Sequence, residues 1–155
     1  MTAESIIRPL RLELFASFRV FRGQDILVTN LILTWEEVSQ THKSRNGIYQ
    51  SCGRLISLLT DFGRINPCYP DFQGDSTDVI HYTGSGRRGD QKLDAANRAM
   101  LDAIETGHAV PLYNKLGVNR WEVLGEWRVV AGDYVRDETR DRVVWKFTLR
   151  RELTA

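Results

Sequence analysis

The segment His81-Tyr82-Thr83-Gly84-Ser85-Gly86 runs into Arg87-Arg88-Gly89-Asp90-Gln91-Lys92-Leu93 and then Asn97-Arg98-Ala99. It joins an aromatic ring, a glycine-rich turn, two arginines and a helix start, and two incompatible folds can be read from it. By spacing alone, Gly84-x-Gly86-x-x-Gly89 is the dinucleotide-binding fingerprint, set between an apolar run (Val79, Ile80) and a helical pattern. That fold needs a buried parallel strand before the glycines and an acidic residue closing the next strand to hold the ribose hydroxyls. Here the strand ahead of the turn is short and ends in His81 and Tyr82. The next one ends in Tyr113-Asn114-Lys115, with no carboxylate, and Glu105, at about the right distance, falls on the helix instead. Asp90 would also place negative charge where a pyrophosphate should sit. No cofactor is expected, and an NAD(P)- or FAD-binding protein is the alternative from the enzyme class.

Outward from the turn, Asp90 is positioned to N-cap a helix from Gln91 to about Thr106, with Leu93, Ala96, Met100, Ala103 and Ile104 on one face and Gly107 ending it. A strand is expected at Ala109–Asn114. Two alternating strands follow: Trp121, Val123, Gly125, Trp127 and Val129 on the first, and Val143, Trp145, Phe147 and Leu149 on the second, with Val144, Lys146, Thr148 and Arg150 outward. Residues 131–141 between them look turn-like, which makes the pair an antiparallel hairpin.

On the N-terminal side, a short strand Val79–Tyr82 follows an irregular polar loop over 64–78, long enough to suggest a functional role. Leu55, Ile56, Leu58, Leu59 and Phe62 stand at helical spacing with Gly63 as a C-cap. Residues 41–50 look like a loop. Leu31–Trp35 and Ile26–Val28 are apolar without a clear type, and residues 10–21 alternate as a strand. Mostly strands with two or three helices, in no βαβα series, indicate an α+β domain. A twisted antiparallel or mixed sheet closing towards a barrel is expected.

A chain of 155 residues is most simply one domain. No apolar run approaches a membrane span, and Met1-Thr2-Ala3-Glu4-Ser5 does not begin like a secretory signal, so a cytoplasmic location without membrane partners is expected. The formal net charge of +1 excludes a generally basic nucleic-acid coat, so any such binding must come from a local patch. Of the 21 basic residues 17 are arginine, whose planar fork suits phosphates and guanine edges, although arginine richness also follows from a GC-rich genome. Cys52 and Cys68, and His42, His81 and His108, show no metal-ligand spacing. No metal site, nuclease motif or other catalytic group is expected.

Taken as residues, Tyr82-Thr83-Gly84-Ser85-Gly86, Asp90-Gln91-Lys92-Leu93 and Asn97-Arg98-Ala99 resemble the core signature of SRA (SET- and RING-associated, or YDG) domains. Asn119-Arg120-Trp121-Glu122-Val123-Leu124 and the closing Val143–Arg151 strand extend the likeness in the same order. Gly107-His108-Ala109-Val110 stands where that family starts a strand with Gly-x-Pro-Val, without the proline. The resemblance covers about residues 66–152, is of the prokaryotic modification-dependent restriction endonuclease type, and implies a PUA-like fold spanning residues 1–155.

The resemblance implies a reader of duplex DNA that flips 5-methylcytosine or 5-hydroxymethylcytosine into a pocket, serving a nuclease domain or subunit that cuts nearby. Tyr82 and Tyr69 would stack on the base, Asp71 would accept from the cytosine N4 amine, the Thr83 backbone would bond the same edge, and Gly84 and Gly86 would let the nucleotide approach closely. Ser85, Gly86, Arg87, Arg88, Lys92 and Arg98 would face the DNA backbone or groove. Asp75 and Asp78 are rivals for the N4 contact. Tyr69 could instead cover the core edge, Tyr82 could be a core aromatic, and Asp71 could be a turn former; Trp121, Trp127 and Trp145 are expected in the core. Eukaryotic members insert a long finger after the glycine turn to fill the gap left by the flipped base. Only Arg87-Arg88-Gly89 stands there in this chain, as a shorter lever or as phosphate clamps. A PUA-like module for RNA or protein is the remaining alternative.

Overall fold

The structure, a computed structural model, describes residues 30–153. The chain divides into two units, residues 1–32 and 33–155, and only residues 30–32 of the first are described. The strand expected over 10–21 and the apolar block at Ile26–Val28 lie outside the described residues.

The described elements are β1 (Ile32–Leu33), α1 (Trp35–Val38), β2 (Ile48–Ser51), β3 (Arg54–Thr60), β4 (Phe72–Gln73), β5 (Val79–Thr83), α2 (Ala95–Thr106), β6 (Ala109–Gly117), β7 (Arg120–Asp137) and β8 (Arg142–Arg151). The sheet runs β2-β3-β6-β7-β8-β5-β4. β3 and β6 are parallel and the other pairs on this path antiparallel, which makes the sheet mixed and the class α+β. Among the described residues it stays open, with β2 and β4 as edges, rather than closing into a barrel. β4 is two residues long, too short a ladder to carry a further strand. Met100 and Ala103 of α2 pack with Leu58, Leu112, Trp127, Phe147 and Leu149 of the sheet as the core.

Several expectations need correction. Leu55–Phe62 is not a helix: Leu55, Leu58 and Thr60 lie on β3, and its neighbour β2 skips from Ser57 to Leu55 along the register. Ser57 and Leu58 are buried in succession, which breaks the two-residue alternation, and the apolar run around them imitates helical spacing. Gly63 is left-handed (φ 74) in the turn after the strand. Second, residues 131–137 are not a turn. They continue β7 against β8 as far as the pair Asp137–Arg142. A register shift between Val129 and Ala131 changes the strand's parity, and the far half is largely exposed, so its polar residues resemble a loop. On β8, Val144, expected outward, is buried.

Third, α2 starts four positions later than expected. Its N-cap is Asp94, whose carboxylate accepts from the Asn97 amide, while Gly107 (φ 68) closes it as expected. Asp90 instead accepts from the Val143 amide at 2.8 Å, and Gln91 pairs with β8 through its amide and the Val143 carbonyl.

This arrangement fastens the glycine turn. The buried Gln91 donates through Nε2 to the carbonyls of Gly84 (2.8 Å) and Gly86 (3.0 Å), and its Oε1 accepts from the Trp145 amide (2.8 Å). The buried Asn97 accepts from the Ser85 amide (2.8 Å) and donates to the carbonyls of Ser85 and Lys92. A Cβ on Gly84 would stand 2.6 Å from Asn97 Oδ1 and 2.8 Å from Trp145 Cβ. The glycine therefore makes room for the protein's own side chains. The dinucleotide fold is not met, because β5 is antiparallel to both its neighbours and the Gly84 and Ser85 amides are bonded internally.

Gln91→Ala takes this partner from the Gly84 carbonyl and the Trp145 amide, while the Gly86 carbonyl keeps Arg142, and is expected to cost about 3 kcal/mol, as each loss costs roughly 1–3 kcal/mol. Replacing the exposed neighbour, Lys92→Ala, should change stability by less than about 0.5 kcal/mol. Urea denaturation of both variants checks the difference.

Candidate functional site

A cavity of about 480 Å³ opens where the ends of β3 and β5 meet the loop before β4. Thr60 closes β3, Tyr82 and Thr83 close β5, and Tyr69 and Asp71 come from the loop, so strand ends position the polar groups and the loop folds over them. Asp61 shapes that loop: its carboxylate accepts from the amides of Gly63 (2.7 Å), Ile65 (3.2 Å) and Asn66 (2.7 Å).

Asp71 sits in the cavity wall with 5 % of its surface exposed. Its Oδ1 accepts from the Thr83 amide at 2.6 Å and its Oδ2 from the Thr60 hydroxyl at 2.6 Å. Each carboxylate oxygen can accept twice, so both retain acceptor capacity. Burial raises the Asp71 carboxyl to about 6, against the opposing pull of those hydrogen bonds and of Lys146. Lys146 donates to the Thr83 hydroxyl (2.6 Å) and to the Pro70 carbonyl (3.2 Å), and burial lowers its own ammonium. Of the Thr83 backbone, expected to meet a base edge, the amide is committed to Asp71, whose carboxylate lines the cavity.

Tyr82 is both a core residue and a cavity residue. It is 2 % exposed, packs in the main cluster and lines the cavity, with its hydroxyl donating to the Leu59 carbonyl at 2.7 Å. Burial holds that phenol well above its ordinary range. Tyr69 is half-buried and lines the cavity, as do Gly84, Ser85 and Arg87. Arg88, Lys92 and Arg98 are exposed and stand outside the lining, as does Gly86, whose φ of 127 and carbonyl bonds to Gln91 and Arg142 serve the turn. Asp75 is exposed and Asp78 pairs with Arg151 at 3.0 Å; neither lines the cavity.

Arg45, Lys115 and Trp121 also line the cavity, brought together from the loop before β2 and from the β6–β7 hairpin; none of the three was expected at the site. Trp121 packs on Trp35 (5.4 Å between ring centroids), Arg45 lies over the Trp35 ring at 4.4 Å, and the Lys115 ammonium lies 5.7 Å from the Trp121 ring. The buried His42 pins the Arg45 loop. Its Nε2 donates to the Asn46 carbonyl (2.6 Å), leaving Nδ1 to accept from the Ser57 hydroxyl (2.8 Å), and burial lowers its pKa. These residues are scattered in sequence, so only Trp121, standing inside the signature region, left a trace in it. Among the described residues no cluster of His, Cys, Asp and Glu could hold a metal ion, and no helix is long and apolar enough to cross a membrane.

The solved structures similar to this fold include a modification-dependent restriction endonuclease, TagI, at 20% identity and a TM-score of 0.67, covering 81% of this chain and 50% of that one. The present chain thus spans half the length of that enzyme. Another is a complex of the SUVH5 SRA domain with hemimethylated CG DNA, at 24% identity and a TM-score of 0.66, covering 86% and 97% of the two chains. A third is the SUVH5 SRA domain bound to fully hydroxymethylated CG DNA, at 24% identity and a TM-score of 0.60, covering 77% and 84%. None of the curated proteins matches the sequence. The family described as "ScoMcrA-like, SRA domain" matches residues 38–152, starting well before the region where the likeness is visible by eye. With a family match over that span and an SRA-like arrangement of strands, the chain belongs to the ScoMcrA-like SRA domains.

Proposed function

We propose that this domain reads 5-modified cytosine in duplex DNA by flipping the base into the cavity beside Asp71, as the non-catalytic recognition module of a modification-dependent restriction system. The observation that carries the proposal is the buried Asp71 carboxylate, aimed by the Thr83 amide and the Thr60 hydroxyl while lining an open cavity. A carboxylate accepts from the exocyclic amine of cytosine and finds no such donor on thymine, whose O4 is an acceptor. Tyr82 and Tyr69 supply aromatic surface, and stacking returns about 1–3 kcal/mol per base against a flipping cost of a few kcal/mol. Arg45, Arg87 and Lys115 on the rim offer cations to the phosphates flanking the flipped nucleotide.

The relatives support the same reading. The SUVH5 domain has been solved with hemimethylated and with hydroxymethylated CG DNA, and TagI is a modification-dependent restriction endonuclease. A nuclease domain or subunit is the partner this role requires. Arg88, Lys92 and Arg98, exposed and clear of the cavity, would meet the DNA backbone further out, and Ser85 and Gly86 would face it across the turn.

Asp71 also weakens the fold at neutral pH. Raising a carboxyl from 3.8 to about 6 costs about 3 kcal/mol of stability, at about 1.4 kcal/mol per pH unit. The sign is that of a raised acid: the stabilising proton is bound in full below pH 3.8 and is lost as the pH rises through about 6. A costly buried carboxylate at a cavity wall is what a binding site needs and a folding scaffold does not.

In a gel-shift competition, duplexes carrying 5-methylcytosine or 5-hydroxymethylcytosine should displace the probe at lower concentration than unmodified duplex or RNA. Equal competition by unmodified duplex, or better competition by RNA, refutes the reading. Asp71→Asn should weaken binding to the modified duplex at least about tenfold, the scale of one good base-edge contact. In thermal unfolding, the advantage of Asp71→Asn over the wild type should widen as the pH is raised from 4 to 7. The wild type's affinity for modified duplex should fall as the pH drops through about 6, where Asp71 protonates and loses acceptor capacity.

A further inference from the structure

A duplex that has lost a base from its stack holds a gap, and the proteins that kink or open duplexes commonly fill such spaces with an apolar wedge. The turn after Gly86 carries two exposed arginines, Arg87 and Arg88, and no apolar side chain to serve as such a wedge. The buried Arg142 donates to the carbonyls of Gly86 (2.8 Å) and Gly89 (3.3 Å), and also to that of Cys68 (2.8 Å), which ties both ends of Arg87-Arg88 to the body of the domain.

The β6–β7 hairpin also borders the cavity. Lys115 and Trp121 face each other in the register and line the cavity; Gly117 and Arg120 form the last pair, and Val118-Asn119 is the tip. Val118 is 89 % exposed, more than any other large hydrophobic side chain among the described residues. At about 3.3 Å per strand residue it stands roughly 10 Å along the chain from Lys115. The tip is held stiff. Asn119 is left-handed (φ 57), and its Oδ1 accepts from the Trp35 amide at 2.8 Å, while the Trp35 ring rests on Trp121. Lys115 and Arg45, held against the Trp121 and Trp35 rings, add cations to the cavity lining beside this hairpin.

We infer that Val118 is the wedge that occupies the space vacated by the flipped base. The inference rests on the base-flipping reading above. A stiff turn presenting one apolar side chain with no hydrogen-bonding atoms can enter a base stack without leaving a polar group unsatisfied. In this division of labour the hairpin holds the duplex open, and Asp71 with the tyrosines holds the base. Arg87 serves the phosphates.

The test compares three substrates carrying one 5-methylcytosine: a paired duplex, a duplex with an abasic site opposite the modified base, and a single strand. A wedge matters only where a pairing partner is left behind. Val118→Ala should therefore weaken binding to the paired duplex about tenfold and leave the other two within about twofold, since opening a duplex costs a few kcal/mol and the other substrates are already open. Arg87→Ala should weaken all three alike. Because Val118 is exposed, its variant should unfold at the wild-type temperature, which separates a lost wedge from a lost fold. Unchanged binding of Val118→Ala to the paired duplex, or an equal loss on all three substrates, overturns the inference while the base-reading function stands. If the wild type itself shows no preference for modified over plain duplex, both fall together.

Discussion

The Asp71 carboxylate joins three parts of the domain that the chain reaches separately: the end of β3 through Thr60, the end of β5 through the Thr83 amide, and the loop on which it sits. Those bonds hold the carboxylate at the wall of the cavity and favour its charged form, but burial outweighs them and raises the carboxyl to about 6. Lys146 stabilises the arrangement indirectly, bonded to the Thr83 hydroxyl and the Pro70 carbonyl rather than to Asp71 itself. Tyr82 and the cavity floor depend on the same junction of strands, since the tyrosine hydroxyl is anchored on the Leu59 carbonyl of β3.

The glycine turn has a different task from the one its spacing suggests. Its carbonyls are held by Gln91 and Arg142 and the Ser85 amide by Asn97, so the Asp-Gln-Lys-Leu and Asn-Arg-Ala segments act as its internal scaffold. Gly84 is required because Asn97 and Trp145 occupy the space a side chain would need. A well-fixed turn lets Thr83 and Tyr82, just before it, hold their positions at the cavity. Preorganisation of this kind reduces the ordering cost that binding would otherwise carry.

The hairpin strands were legible because alternation over Trp121–Val129, and at Phe147 and Leu149, follows the two-residue period of a half-buried strand. β3 was not, since burial of the successive residues Ser57 and Leu58 leaves no clean alternation and its apolar run fits a helix equally well. The start of α2 was misplaced because Asp90 and Asp94 are chemically equivalent caps, and only the pairing of Gln91 with β8 decides between them. On the site, the loop tyrosine and aspartate were visible through resemblance alone. Arg45, Lys115, Trp121 and Thr60 come from four separate elements and carry no local pattern, so tertiary structure was needed to assemble them. That the Thr83 amide serves the Asp71 carboxylate is likewise a tertiary contact between the end of β5 and the loop, with no local pattern in the sequence.

The most direct measurement of the central claim is the titration of the Asp71 carboxyl carbon by NMR, in the free domain and in the domain saturated with a duplex containing 5-methylcytosine. The account predicts a midpoint near 6 in the free domain, set by burial, and a clear fall on binding, because an amine donating to the carboxylate favours its charged form. A free-domain midpoint at the ordinary carboxylate value, or one near 6 that does not move when the duplex binds, would contradict it.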